Sequence, residues 1–177
     1  NSPTPTDGSF VAVWTSPDGA LTGIKGRSYL SSGKPLGAEF GVNTYTTDAQ
    51  AHPAVGAAAN GSFVVAWDSV DQDGDLEGVY AQRFGADAKP VGAEFPVNTQ
   101  TLNEQLRPSV GVQATGELAI AFESFKPSGG DGYDALSKGA VIVDASGATL
   151  MANTVMDYVA KLGTVSPAVE GRIVERK

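Results

Sequence analysis

The chain contains no cysteine among its 177 residues, which removes thiolate catalysis, disulfide frameworks and cysteine-based zinc sites together. Its one histidine is His52. A Gly-x-Ser-x-Gly elbow and a phosphate-binding loop are both missing, so nucleophilic and nucleotide-dependent reactions lose their usual carriers. Twelve basic residues stand against 20 acidic ones, a net charge of −8. That balance repels phosphate backbones and anionic lipid, so nucleic acid is not an expected partner. No apolar run approaches the roughly 20 residues of a spanning helix, so membrane insertion is not expected, and no secretory leader is visible. A cysteine-free chain of this length must be held by its core, and it is long enough to bury one.

What is abundant is glycine (22) and proline (10), placed between short apolar runs and not in low-complexity tracts. This is the texture of many short strands joined by turns. The chain also repeats itself. Pro35-Leu36-Gly37-Ala38-Glu39-Phe40-x-Val42-Asn43-Thr44 returns 55 positions later as Pro90-Val91-Gly92-Ala93-Glu94-Phe95-x-Val97-Asn98-Thr99. Gly8-Ser9-Phe10-Val11-Ala12-Val13-Trp14 returns after 53 as Gly61-Ser62-Phe63-Val64-Val65-Ala66-Trp67, and more faintly after another 55 as Gly116 to Phe122. Such a period means copies of one supersecondary unit packed side by side. The chain reads as one domain, 1–177, with repeats at 1–50, 51–105 and 106–163. A closing or exchanged strand is expected in 164–177, where Ser166-Pro167-Ala168-Val169 echoes Pro53-Ala54-Val55.

Repeat 2 is clearest. Pro53 to Ala59 reads as a first strand, Asn60-Gly61 as a type I′ hairpin turn, and Ser62 to Trp67 as a second strand. Phe63, Val65 and Trp67 share one face and Val64 and Ala66 the other, so that strand is expected to be buried on both sides. Asp68 to Gly78 reads as a loop, Val79 to Phe84 as a third strand, and Ala93 to Asn98 as a fourth. Four antiparallel strands per repeat make a β-propeller blade, so the expected fold is all-β with three blades of about 55 residues. A β-trefoil-like pseudo-threefold barrel is the alternative. In repeat 3 the fourth-strand signature has gone, and Thr154 to Leu162 fits either strand then turn or a short helix.

Chemistry concentrates in loops. Asp71, Asp73 and Asp75 alternate around Gly74, with Asp68 or Glu77 placed to add a ligand, and alternating carboxylates around a glycine can wrap calcium. The plain alternative is a solvated acidic turn. The matching loop of repeat 3, Gly129 to Ser137, fits the calcium nonapeptide Gly-Gly-x-Gly-x-Asp-x-Leu-x and supplies Asp131 and Asp134. Calcium is therefore the one cofactor expected. Trp14, Trp67 and Phe122 occupy equivalent strand positions and read as core, whereas Tyr80, Tyr45 and Tyr133 lie on a wetter strand or in loops and read as sugar-stacking platforms. Glu39 and Glu94 are equivalent carboxylates; being repeated, they read as structural and not as a glycosidase pair. No catalytic residue is assigned. His52 precedes Pro53 where the next repeat has Arg107 before Pro108, so it reads as a generic polar position.

The run Phe63-Val64-Val65-Ala66-Trp67, Asp71-x-Asp73-Gly74, Gly78 to Phe84 and Gly92-Ala93-Glu94-Phe95-x-Val97-Asn98-Thr99 resembles a tandem repeat of large secreted bacterial surface proteins. These are adhesin-like and often carry calcium repeats. The resemblance covers residues 1 to about 125. It implies an extracellular or cell-surface bacterial setting and a non-enzymatic binding or assembly role, calcium-stabilised and adhesive. A lectin and a carbohydrate-active enzyme are the alternatives. Expected partners are a glycan or another surface protein, together with self-association through unequal chain ends, where strands can be exchanged.

Overall fold

The computed structural model describes residues 7–113, 117–126, 135–143 and 149–154. Within them the chain is all-β, in three antiparallel sheets of consecutive strands. Blade 1 holds β1 (Phe10–Ser16), β2 (Gly23–Tyr29) and β3 (Phe40–Gly41). Blade 2 holds β4 (Gln50–Ala57), β5 (Phe63–Val70), β6 (Glu77–Phe84) and β7 (Pro90–Pro96). Blade 3 holds β8 (Gln105–Val112), β9 (Leu118–Lys126), β10 (Ala135–Val143) and β11 (Thr149–Thr154). Each repeat pairs within its own sheet, which is the propeller arrangement and sets the trefoil aside. The inner edges converge, with β4 lying against both β1 and β8. The faded fourth strand of repeat 3 is present as β11, paired with β10 through Asn153 and Ala140. The helix alternative beyond Thr154 and the closing strand in 164–177 lie outside the described residues, as do Asp131, Tyr133 and Asp134.

The core follows from the two apolar faces of β5. Phe63, Val65 and Trp67 pack toward blade 1 with Ile24, Val42 and Phe84, while Val64 and Ala66 pack toward blade 3 with Leu118, Ile120 and Phe122. Val65, Ala66 and Trp67 are fully buried, as a strand apolar on both faces requires. Phe63 stacks on Phe84 across the strands at 4.9 Å, and Phe40 of blade 1 closes over that pair at 6.2 and 5.5 Å. Burying each such large side chain stabilises the fold by roughly 1.5–3 kcal/mol. The indole Nε1 of Trp67 is buried there without a hydrogen-bond partner.

The hairpin turn of repeat 2 differs from the type I′ expectation. Gly61 N–H donates to Ala58 O at 3.0 Å and Ala58 N–H to Ser62 O at 2.8 Å. Only Gly61 has positive φ, at 86°. This is a type I turn closed by a left-handed glycine. Asn60 serves through its side chain, its Oδ1 accepting from Ser62 N–H and Oγ–H at 3.0 and 2.7 Å.

Adjacent blades are joined by a repeated amide clasp. Val79 N–H donates to Asn98 Oδ1 at 2.7 Å, and Asn98 Nδ2 donates to Gln100 O at 2.8 Å and to Gln105 Oε1 at 2.9 Å. Gln105 Nε2 then donates to Leu102 O and Asn103 O at 2.9 and 2.8 Å. Asn43 and Gln50 do the same one blade earlier, with Ile24 N–H on Asn43 Oδ1 at 2.7 Å and Asn43 Nδ2 on Gln50 Oε1 at 3.0 Å. Each clasp ties the outer strand of one blade to the inner strand of the next, satisfying polar groups of a connector that leaves the ladder.

Candidate functional site: the bulged ends of the inner strands

The inner strands β4 and β8 each break register near one end, between Ala51 and Ala54 and between Leu106 and Ser109. The cause is the same in both: a proline that cannot donate to the ladder, preceded by a residue in the left-handed region. His52 has φ 48° and Arg107 has φ 53°. Non-glycine residues held there store roughly 1–3 kcal/mol of strain, tolerated when the surroundings over-determine the geometry.

What determines it is a carboxylate on the neighbouring strand. His52 Nδ1 sits 2.9 and 3.1 Å from the two carboxylate oxygens of Asp68. Asp68 is only 4% exposed, and its Oδ1 also accepts the backbone N–H of Arg107 at 3.2 Å, so it bridges two blades. An ionised carboxylate only accepts, so in this pair the proton lies on Nδ1 of a ring whose side chain is 57% exposed. In blade 3 the counterpart pair is Arg107 with Glu123, at 3.0 Å. An oriented imidazole and an oriented guanidinium thus stand on successive inner strands.

The electrostatics of this end are acidic. Burial pushes the Asp68 carboxyl above its usual range, against the lowering effect of the His52 and Arg107 hydrogen bonds. Glu77 is pushed up as well, by burial first and then by Glu104, Asp68 and Asp71. Glu77 and Glu104 are therefore close enough to repel.

The expected calcium loop is divided among several tasks. Asp68 lies inside β5 and not in the loop, committed to His52 and Arg107. Asp71 has φ 56° and opens the turn, its N–H donating to Leu76 O at 2.7 Å. Asp75 Oδ2 accepts Asn103 N–H at 2.8 Å, and Asp73 Oδ2 accepts from Asn98 Nδ2 at 3.2 Å. No three of the described Asp, Glu or His side chains converge as a metal-binding group. Two oxygens are left over: Asp73 Oδ1 and Gln72 Oε1 are buried with no hydrogen-bond partner.

Of the expected sugar platforms, Tyr80 is 7% exposed, packed in the core between blades 1 and 2, so its ring has no open face. Burial, then Asp73, Glu94 and Tyr45, push its hydroxyl up to about 12. Tyr45 is half-buried. Glu94 is structural: its Oε2 accepts from Thr44 N–H and Oγ–H at 2.7 and 2.9 Å, and its Oε1 accepts from Gln72. An aromatic surface that sequence reasoning passed over lies at the opposite, hairpin end. There a cleft of about 410 Å³ is lined by Asp7, Ser28, Tyr29 and Asn60 beside Phe10, within the size range of small-ligand pockets.

The fold and this site together define a class: a β-propeller-like protein with one three-stranded and two four-stranded blades among the described residues, in which the inner strands β4 and β8 carry bulge-mounted polar side chains at one end. No protein-family model matches the chain, and no curated protein does. Among solved structures it is similar to an endo-arabinase from Bacteroides thetaiotaomicron, with a TM-score of 0.54 at 16% identity over 84% of this chain. The match spans 58% of the length of that enzyme chain. At that identity the likeness is one of fold.

Proposed function

We propose that the chain is a carbohydrate-binding propeller module of an extracellular bacterial protein, acting by adhesion and without turnover. One observation carries this reading: His52 and Arg107 stand on successive inner strands as planar polar groups with fixed hydrogen-bond directions. Each pairs with a carboxylate, His52 with Asp68 and Arg107 with Glu123. Sugar hydroxyls donate and accept at once, and imidazole, guanidinium and carboxylate groups already oriented by pairing match them with less rotamer freedom to lose on binding. A structural neighbour is named an endo-arabinase, and the proposed ligand class fits that name. Among the described residues calcium has its opening at Asp73 Oδ1 and Gln72 Oε1, unpaired buried oxygens that suit a hard cation.

A glycan array that includes arabinan fragments tests the reading. Binding with no release of reducing ends is expected, weakened about tenfold or more by His52→Ala and by Arg107→Ala; an empty array refutes it. An enzyme is the second reading, and Glu77, raised by burial and by neighbouring carboxylates, is the residue at this end that tests it. Product formation lost in Glu77→Gln would establish that alternative. In the same material, excess calcium should raise the melting temperature relative to EGTA and Asp73→Asn should abolish the difference, since a ligand of the folded state alone must stabilise it. An unchanged melting temperature removes calcium from the account.

A further inference from the structure

The same two half-faces form both blade contacts in the molecule. The face turned toward the following blade carries Val11 and Val13 in blade 1 and Val64 and Ala66 in blade 2. The face turned toward the preceding blade carries Phe63, Val65 and Trp67 in blade 2 and Leu118, Ile120 and Phe122 in blade 3. Those last six side chains are at most 8% exposed. By repeat position, blade 1 presents Phe10, Ala12 and Trp14 on its preceding-side face, and blade 3 presents Ala119 and Ala121 on its following-side face.

Among the described residues these two terminal faces are partly exposed, with Ala12 and Trp14 half-buried. Phe10 is 43% exposed, against 3% for its counterpart Phe63. It stacks on Tyr29 at 5.1 Å and 10°, as Phe63 stacks on Phe84 at 4.9 Å and 7°. Blade 2 has Phe40 of the preceding blade closing over its stack, whereas the blade 1 stack keeps solvent contact. At the other end Ala119 and Ala121 are exposed, while their counterparts Val64 and Ala66 are 5% and 0% exposed. Among the described residues, an aromatic stack without a covering blade at one end and a small-residue face without one at the other are the two halves of the contact already made twice inside the chain. Along β1, pairing is with β2 alone among the described residues.

We propose that a second copy of this chain docks head to tail, the following-side face of blade 3 in each copy covering the preceding-side face of blade 1 in the other. Two such contacts related by a twofold axis close a ring of six blades, which falls within the usual range of propellers. The proposal is independent of the carbohydrate reading, because neither face includes His52 or Arg107.

Light scattering on the whole chain at tens of micromolar tests it. The expected mass is twice the 18.1 kDa of one chain. Phe10→Asp and Ala121→Arg, both at exposed positions and so compatible with folding, should each give a monomer with an unchanged circular dichroism spectrum. Mixing the two variants should restore the dimer: one of the two contacts then carries neither substitution, and the other brings the introduced carboxylate of one copy near the introduced guanidinium of its partner. A monomeric wild-type chain overturns the proposal. So does a dimer that survives both substitutions, or a pair of monomers that fail to reassemble on mixing, since only a head-to-tail contact separates the two faces onto different partners.

Discussion

Replacing Asn98 by alanine should destabilise the protein more than any exposed substitution, and the amount follows from the clasp it forms. Asn98 is 6% exposed, and the groups it serves differ in their access to water. The Gln100 carbonyl belongs to an exposed residue and can turn to solvent. The Val79 N–H and the Gln105 amide oxygen cannot, because Val79 is fully buried and Gln105 is 1% exposed. Leaving a buried donor or acceptor unpaired costs about 1–3 kcal/mol each, so the two together predict about 2–6 kcal/mol. Domains of ordinary size have only about 5–15 kcal/mol in total. At about 2–4 °C per kcal/mol for a chain of this length, a loss near the centre of that range lowers the melting temperature by about 8–16 °C. Urea unfolding of wild type, Asn98→Ala, Gln105→Ala and the double variant forms the assay. The two side chains are in contact, so a coupling of about 0.5–3 kcal/mol is expected between them. A loss below about 1 kcal/mol for Asn98→Ala, or additive single effects, would show that the connector is satisfied some other way and that the clasp is incidental.

Glu77→Gln gives a pH-dependent gain. The folded-state pKa of Glu77 is raised above 4.5, so the stability attached to this group is present at low pH and lost as pH rises through the raised value. The variant should therefore match wild type below about pH 4.5 and exceed it increasingly toward neutrality in urea midpoints; a gap that is flat with pH contradicts the repulsion with Glu104, Asp68 and Asp71. Gly26→Ala tests close packing, because a Cβ at Gly26 would lie 2.7 Å from the Phe40 ring. Overpacking of this kind costs about 1–3 kcal/mol, and Phe40→Leu in the same chain should recover part of it; equal losses in single and double variants would place the strain elsewhere.

The repeat made the architecture legible because blade packing constrains side chains on every strand. The two-faced burial of β5 could be read from Phe63, Val65 and Trp67 alternating with Val64 and Ala66, since both sets are apolar and a strand has only two faces. The clasp was written in the sequence with equal regularity, as an asparagine followed seven residues later by a glutamine in two repeats. Spacing alone does not disclose it, because regularly spaced polar residues between strands are what any turn provides, and which amide reaches which carbonyl depends on tertiary approach. The His52 pair was hidden for a different reason. His52 and Arg107 are equivalent across repeats, which suggested a position tolerant of any polar residue. The informative signal lay on the neighbouring strand: Asp68 and Glu123 are equivalent too, so histidine with aspartate in one blade becomes arginine with glutamate in the next. A basic residue that changes together with its acidic partner is held by that partner, not merely solvated. The acidic loop is the converse case, because alternate spacing places carboxylates within reach of one ion only if the backbone curls around it. Here the loop closes on its own turn, and Asp73 and Asp75 are drawn off to Asn98 and Asn103 on the connector to the next blade. Spacing along a chain predicts chemistry where neighbours in sequence remain neighbours in space, and at blade junctions the nearest partner comes from the adjoining repeat.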